Sequence, residues 1–103
     1  MNIGNYEFEE PVFLVGCEMY LHDLPGVYVI LDLWDNQYYV VDVGESSTVK
    51  SRIQSHDRES CWKLNSRGSL YVSVLYTPYM DDESRRSIER ELRSMFSPAC
   101  GHY

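Results

Sequence analysis

The pattern of apolar and polar residues along this chain predicts three β-strands. Residues 27–33, 38–43 and 69–77 are rich in Val, Ile, Leu and Tyr, which is typical of strands in a small sheet. The polar stretch Trp34 to Gln37 separates the first two and has the composition of a hairpin turn. We therefore expect these two strands to pair in antiparallel fashion, with residues 69–77 as a third strand.

The second strand is expected to give way to a short helix around Gly44. We expect a tight turn at this glycine, followed by a helix capped by the hydroxyl groups of residues 46–48. Residues four apart on a helix share a face. Two such stripes follow, one apolar and one polar: Val49 with Ile53, and Arg52 with His56.

The C-terminal part of the chain predicts a second, longer helix. Pro78 ends the third strand, and the acids of residues 81–83 suit a helix N-terminus. The helix is expected to run to about Phe96, with a buried apolar stripe and with its arginines on the outer surface. The stripe comprises Ile88, Leu92, Met95 and Phe96, flanked by Glu89, and the arginines are Arg85, Arg86, Arg90 and Arg93.

These elements predict a single α+β domain with a small central three-stranded antiparallel sheet flanked by helices. With 103 residues and a mass of 12.1 kDa, the chain can form one modest core. Residues 1–23 are expected to form an N-terminal extension, whose apolar segment Pro11 to Tyr20 covers a sheet edge or a face of the core. Residues 24–103 are expected to form the domain proper.

Charge is distributed unevenly along the chain. Residues 1–49 contain nine acids and no Lys or Arg, whereas the remainder holds all nine basic residues and seven acids. The net charge of −7 would repel a phosphate backbone at long range, but the basic residues are concentrated in the second half. Nucleic-acid binding is therefore compatible with the sequence without being required by it.

The cysteines, the hydropathy and the first residues of the chain indicate the cellular environment of the protein. Cys17, Cys61 and Cys100 are an odd number without the spacing of a zinc site, so we expect reduced thiols rather than a disulfide framework. There is no run of about 18 apolar residues, which argues against a membrane span. The first residues lack the features of a signal peptide, which points to the cytoplasm.

Four short motifs, in order along the chain, resemble the signatures of the GIY-YIG nuclease superfamily. They are Gly26-Val27-Tyr28, Asp42-Val43-Gly44, Arg52 eight residues after Gly44, and Glu89 followed by Leu92, Phe96 and Pro98. The resemblance extends from Leu24 to Gly101. It implies a small α+β domain that hydrolyses DNA phosphodiester bonds with the help of one divalent cation, Mg²⁺ or Mn²⁺.

The resemblance implies a catalytic role for Tyr28, which would align or deprotonate the attacking water. The alternative is that this tyrosine, one of nine in the chain, simply packs in its strand. His56 lies one turn beyond Arg52 and could aid proton transfer, because its charge is adjustable near neutral pH. The alternative for His56 is an interaction with the last carbonyl groups of its helix.

Arg52 and Glu89 would handle the phosphate and the metal ion. Arg52 would supply a planar, permanently charged donor for the scissile phosphate, or else form a structural ion pair with Asp42, Glu45 or Glu89. Glu89 would hold the divalent cation through its carboxylate. The alternative for Glu89 is an ordinary ion pair with an arginine one turn away on its helix.

Two residues depart from the family pattern. Asp42 stands where the family has its second signature tyrosine, and Gly101 stands where the pattern ends in asparagine. Asp42 could act as a second metal ligand or a general base, or it could mark a domain that has lost catalysis and binds nucleic acid or a protein partner. If the site is merely impaired, Asp42→Tyr is expected to raise its activity.

Residues 57–68 are expected to form a polar loop that could contact nucleic acid. The cations would bind phosphates and Trp62 would stack on a base; alternatively, Trp62 folds back onto the core and the charges are solvated. The contacts expected are Lys50, Arg58, Trp62, Lys63 and Arg67. Because no DNA-recognition domain is appended in this sequence, we expect structure-selective action, specificity supplied by a protein partner, or a homodimer.

Overall fold

A short N-terminal hairpin, β1 (Asn2–Ile3) and β2 (Tyr6–Glu7), precedes the main sheet in the computed structural model, which describes residues 1–101. The main sheet contains β3 (Val12–Phe13), β4 (Gly26–Trp34), β5 (Gln37–Ser46) and β6 (Ser69–Tyr76). These strands are antiparallel and lie in the order β3-β6-β4-β5. The helices are α1 (Val49–Gln54), α2 (Glu59–Leu64) and α3 (Asp82–Phe96), with a 3-10 turn at Cys17–Met19.

The sheet has an apolar layer on each face. Side chains alternate between the two faces along β4, and because both faces are covered, β4 is almost continuously apolar. The layer that includes α1 and α2 contains Tyr28, Ile30, Val49, Ile53 and Trp62. The layer that includes α3 contains Val27, Val29, Val43, Ile88 and Leu92.

The predicted hairpin between the first two long strands is confirmed. Asp35 and Asn36 turn the chain with φ angles of 52° and 64°, a left-handed conformation that these two residue types tolerate. The register places Tyr28 opposite Gly44, and Asp42 lies two residues earlier on β5. Since side chains two apart on a strand share a face, Tyr28 and Asp42 face the same layer.

The expected three-stranded sheet is one strand short of the observed sheet. Val12 and Phe13 pair with Val72 and Tyr71 of β6, so the segment Pro11 to Tyr20 contributes an edge strand. The hydrogen bonds that hold this edge strand in the sheet are made by the backbone. A pairing of only two residues requires no particular pattern of side chains. The strand was therefore not predictable from composition.

Two further expectations about the first helical region are corrected. Gly44 is not a turn, because β5 continues to Ser46 and the glycine instead makes room for a facing side chain. No side chain of residues 46–48 caps α1. Asp23, in the loop before β4, accepts hydrogen bonds from the backbone N–H and hydroxyl of Ser51, at 2.9 and 2.8 Å.

The expected loop at residues 57–68 contains the helix α2. Trp62 is 1 % exposed, and burial of its large ring anchors this short helix to the sheet. A six-residue helix has little stability of its own, so its formation depends on this tertiary contact.

The long C-terminal helix is present, but two of its arginines point inward. Asp81 caps α3 by accepting a hydrogen bond from the Ser84 N–H at 2.8 Å. Arg85 is 3 % exposed and pairs with Glu45 of β5, and Arg93 also reaches β5. The expectation that all four arginines lie on the outer surface is therefore wrong. The apolar stripe is buried at Ile88 and Leu92, while Met95 and Phe96 are 49 % and 37 % exposed.

The expectation of reduced thiols is wrong for two of the three cysteines. Cys61 of α2 and Cys100 form a disulfide, with their Cα atoms 5.9 Å apart and a sequence separation of 39. Cys17 is a buried free thiol. Spacing could not reveal this bond, because it depends on how the C-terminal segment returns to α2.

None of the helices in residues 1–101 is both long and apolar enough to cross a membrane.

Candidate active site

Tyr28 lies across the backbone of Gly44 on the neighbouring strand. A β-carbon at Gly44 would overlap Cζ and Oη of Tyr28, so only glycine leaves room for the ring in this position. Tyr28 is 1 % exposed, and its burial raises the pKa of its phenol despite the opposing charges of Arg52 and Arg58. The hydroxyl group is therefore protonated at neutral pH.

His56 is buried against Tyr28, just beyond the end of α1. Its Nε2 lies 2.5 Å from the Tyr28 hydroxyl, and its Nδ1 accepts a hydrogen bond from the backbone N–H of Arg58 at 3.1 Å. A neutral imidazole carries one proton, and Nδ1 is acting as an acceptor. The proton is thus on Nε2, which donates to Tyr28 Oη and leaves the tyrosine's own proton free to point elsewhere.

The charge state of His56 follows from its surroundings. Desolvation by burial, followed by the nearby Arg52 and Arg58 charges, lowers its pKa to about 4, although Asp42 and Asp57 act in the opposite direction. The ring is therefore neutral at pH 7 and keeps the tautomer described above. Its partners are not the last carbonyl groups of α1, which was the structural alternative considered for it.

Arg52 is partly exposed beside the Tyr28–His56 pair. Its guanidinium donates to Asp57 Oδ1 at 2.9 Å, and this aspartate is 74 % exposed. The acidic groups considered as structural partners for Arg52, at positions 42, 45 and 89, are not its ion-pair partners within residues 1–101. Since an exposed ion pair contributes only about 0–1 kcal/mol, Arg52 can exchange Asp57 for another anion at little cost.

Glu89 projects from α3 and is half-buried. Burial is the main reason that its pKa is raised; the Arg93 and Arg58 charges oppose this shift, and the Glu45 and Asp42 charges add to it. Within the described part of the chain, its carboxylate forms no hydrogen bond or ion pair. The arginines one turn away are engaged elsewhere, because Arg85 pairs with Glu45 and Arg93 with Asp42. Within residues 1–101, Glu89 is thus an acidic group without a hydrogen-bond or ion-pair partner, close enough to influence the pKa of Tyr28.

Asp42 is the centre of a buried polar cluster, which we call the Asp42 cluster: Asp42, Arg58, Trp62 and Arg93. Oδ2 accepts hydrogen bonds from Arg58 Nε and Trp62 Nε1, both at 2.7 Å. Oδ1 accepts from Arg93 Nη2 at 2.6 Å and from the backbone N–H of Val43 at 2.8 Å. Asp42 is completely buried, so both of its oxygens are occupied by protein donors.

The Asp42 cluster bears on the roles considered for Asp42. A metal ion or an attacking water could reach this carboxylate only by displacing a guanidinium or the indole. The aspartate is held as a structural anion by these donors. Its partners could not be recognised from spacing, because they come from α2 and α3, which lie far apart in sequence.

The residues expected to contact nucleic acid differ in their surroundings. Trp62 and Arg58 belong to the Asp42 cluster, so the indole is not available to stack on a base. Lys63 forms an ion pair with Glu59 on the same helix at 3.1 Å. Arg67 lies over the ring of Trp34, 5.0 Å from its centroid, beside the turn of the β4–β5 hairpin. Lys50, at the start of α1, is partly exposed.

The structure explains why glycine occupies position 101. Its φ angle is +81°, and a β-carbon there would overlap the Arg93 guanidinium. Arg93 also donates to the carbonyl oxygens of Val43 and Cys100. A larger residue at position 101 would therefore compete with Arg93 for space, which links Gly101 to the Asp42 cluster.

A divalent cation fits the chemistry of Glu89 better than that of the other acids. Within residues 1–101 there is no group of three His, Cys, Asp or Glu side chains that could enclose a metal ion. Mg²⁺ commonly needs only one or two carboxylates, because waters and substrate phosphates complete its coordination. A half-buried carboxylate that forms no hydrogen bond or ion pair within the described residues meets this requirement, so Glu89 would be the protein ligand.

The fold is that of the GIY-YIG endonuclease domains. Among solved structures, the chain is similar to the GIY-YIG N-terminal endonuclease domain of UvrC from Thermotoga maritima. A point mutant bound to its catalytic divalent cation gives a TM-score of 0.65 at 13 % identity, covering 87 % of this chain and 96 % of that chain. The magnesium-bound form gives a TM-score of 0.64 at 12 % identity, covering 86 % and 96 %. No protein-family model matches the sequence, and no curated protein matches it significantly.

Proposed function

We propose that this protein is a metal-dependent endonuclease that hydrolyses DNA phosphodiester bonds. One observation carries the proposal: the Tyr28–His56 pair lies within electrostatic range of Arg52 and of Glu89, a carboxylate without a partner in the described residues. A fold of the GIY-YIG endonuclease type supports the same conclusion. The solved neighbours carry a catalytic divalent cation, which supports a metal-dependent reaction.

In the proposed reaction, Tyr28 positions rather than deprotonates the attacking water. Its hydroxyl oxygen accepts from His56, so its proton can be donated to a water or to a phosphate oxygen. Since burial raises the pKa of Tyr28, the phenol does not act as a base at neutral pH in the protein alone. His56 fixes the direction of this hydroxyl through its protonated Nε2.

Arg52 and Glu89 are proposed to stabilise the negative charge that develops in this reaction. Arg52 would bind a non-bridging phosphate oxygen after leaving Asp57, and its planar donors suit a phosphate. Glu89 would hold the divalent ion, which, when bound, supplies positive charge to the phosphate and to the departing oxygen. Both groups stabilise charge that grows in the transition state, which is the largest requirement in phosphodiester hydrolysis.

A nicking assay tests this proposal. Supercoiled plasmid, branched DNA and single-stranded DNA would be incubated with the protein in Mg²⁺ or Mn²⁺, and with a chelator. We expect metal-dependent cleavage by the natural protein and loss of at least about 100-fold in Glu89→Gln and in Arg52→Ala. Glu83→Gln and Arg90→Ala are matched controls, because this exposed pair on α3 lies outside the site. Cleavage that survives Glu89→Gln would contradict the assignment of the metal ligand.

A second candidate function is a GIY-YIG-fold module that binds without cleaving. The observation that favours it is that both oxygens of Asp42, which we propose to stand at the position of the family's second signature tyrosine, are held by protein donors. In that case no DNA substrate would be cleaved under any metal condition. Equilibrium binding of the same DNA molecules, with a loss of affinity in Arg52→Ala, would then identify a nucleic-acid-binding module.

A further inference from the structure

The Cys61–Cys100 disulfide links the two sides of the Asp42 cluster. Cys61 precedes Trp62, whose indole N–H donates to Asp42 Oδ2. The carbonyl oxygen of Cys100 accepts from Arg93 Nη1 at 3.1 Å, while Nη2 of the same guanidinium donates to Asp42 Oδ1. One covalent bond thus joins the element that supplies the indole to the segment that holds the arginine.

Within residues 1–101, few other hydrogen bonds fix the segment around Cys100 to the sheet. Its backbone N–H donates to the carbonyl oxygen of Val41 on β5 at 3.1 Å, and α3 ends at Phe96. Asn65, after α2, reaches the two sulfur atoms with its side-chain amide, at 3.5 Å from Cys61 Sγ and 3.7 Å from Cys100 Sγ. The disulfide and these hydrogen bonds therefore hold Cys100 against β5 and α2.

We propose that the Cys61–Cys100 disulfide is a redox-operated lock on the candidate active site. In the oxidised protein it holds the Cys100 carbonyl on Arg93, and through Arg93 it holds Asp42. Reduction releases the C-terminal segment and loosens the Asp42 cluster. Arg58 belongs to this cluster and its backbone N–H fixes the His56 ring, so the loosening reaches the Tyr28–His56 hydrogen bond.

The reduction is a thiol–disulfide exchange with a dithiol. Cys61 is partly exposed and Cys100 is completely buried, so the attacking thiolate forms a mixed disulfide with Cys61 and Cys100 leaves as a thiolate. The second thiol of the reagent then resolves the mixed disulfide, and the two cysteines take up two electrons and two protons. The reagent is released as its cyclic disulfide. Exchange with an oxidised dithiol reverses the reaction.

The test compares the oxidised protein, the protein reduced by a small dithiol, and Cys61→Ser/Cys100→Ser. Thiol titration under denaturing conditions should give one free thiol in the oxidised protein and three after reduction. The indole N–H resonance of Trp62, assigned by comparison with Trp34→Phe, should shift or broaden on reduction. The amide exchange rate of Cys100 should rise by about tenfold or more, because a frayed segment loses protection. Cys17→Ser is the matched control, since it removes the free thiol and keeps the disulfide.

Two results would overturn the lock. The first is three titratable thiols in the protein as purified under air, which would mean that the bond does not form. The second is an unchanged Trp62 resonance and unchanged Cys100 protection after complete reduction. If the double serine variant does not fold, reversible reduction of the natural protein gives the same two readouts. Neither readout requires DNA cleavage, so the lock can fail or hold independently of the proposed nuclease function.

Discussion

The hydroxyl group of Tyr28 receives a hydrogen bond from Nε2 of His56 at 2.5 Å, and the opposite nitrogen of the ring is held by the backbone N–H of Arg58. The direction of this bond follows from the tautomer, because Nδ1 is occupied as an acceptor. The pair is therefore built to orient the tyrosine. It depends on Gly44 for room and on a neutral imidazole for its direction, and each dependence can be tested.

Gly44→Ala is expected to displace the Tyr28 ring. The new methyl group overlaps the end of the phenol ring, so the protein should lose about 1–3 kcal/mol of stability and the Tyr28–His56 hydrogen bond. Urea denaturation and the His56 ring resonances would measure the two effects. In a Tyr28→Val background the same substitution should cost much less. An equal cost in both backgrounds would mean that the clash does not involve Tyr28.

His56 is expected to make stability depend on pH in the acidic range. Its pKa falls from 6.5 in the unfolded chain to about 4 in the folded protein, so between these values the unfolded chain binds a proton that the folded protein does not. The free energy of unfolding should therefore fall as the pH is lowered through this range, by roughly 3 kcal/mol in total.

The variant His56→Gln isolates this contribution. Several carboxyl groups have lowered pKa values in the folded protein, so their protonation also reduces the stability of the protein towards the acid end of the range. They are Asp23, Asp32, Asp57 and Asp81. They are present in both proteins and cancel in the difference. Chemical denaturation at several pH values between 4 and 7 would measure it. A difference in unfolding free energy that does not change with pH would contradict the assignment to His56.

Asp42→Asn is expected to be strongly destabilising. The amide carries no negative charge for the ion pairs with Arg58 and Arg93, and its NH₂ group cannot accept a hydrogen bond, so we expect a cost of about 3–5 kcal/mol. Thermal or chemical denaturation would measure the loss. Asp57→Asn is the matched control, because Asp57 is exposed and its removal should cost no more than about 1 kcal/mol. Similar costs for the two variants would show that the Asp42 cluster contributes little.

The same argument changes the expectation for Asp42→Tyr. A tyrosine at this position removes the carboxylate that neutralises two arginines and must fit a larger side chain into a fully buried space. The variant is therefore expected to be destabilised rather than activated. Denaturation and the nicking assay, performed on the same preparation, would distinguish a misfolded protein from a folded one with raised activity.

Arg52→Ala is expected to weaken DNA binding while leaving the fold nearly unchanged. Its only ion pair in residues 1–101 is with the exposed Asp57, so its removal should change the unfolding free energy by less than about 1 kcal/mol. Fluorescence anisotropy with labelled DNA would measure the affinity. Asp57→Asn should maintain or raise it, because Arg52 is then free to bind phosphate. A loss of affinity in Asp57→Asn would show that Asp57 is needed to orient Arg52.

Local patterns were sufficient to predict the parts of the fold that depend on local chemistry. The apolar strands around the Asp-Asn turn, and a long helix begun by a capping aspartate, follow from residue types and their periodicity. The two-residue strand β3 and the short helix α2 do not, because both are stabilised by contacts with residues distant in sequence.

The candidate site also contains residues that the sequence motifs indicate and contacts that they do not. Tyr28, Arg52 and Glu89 could be named from ordered motifs, and His56 from its four-residue spacing to Arg52. The partners of Asp42 could not, because a buried ion pair looks like two surface charges until the fold brings them together. The pairing of Cys61 with Cys100 was missed for the same reason.

The C-terminal segment also covers part of an edge of the sheet. β5 is a ten-residue strand at the edge of the sheet, and such an edge can recruit strands from other molecules. Here the Cys100 N–H and the Arg93 guanidinium occupy the carbonyl oxygens of Val41 and Val43. A chain cut after Pro98 would lose the Cys100 contact and uncover part of this edge. The C-terminal segment thus covers part of this sheet edge and also supports the site.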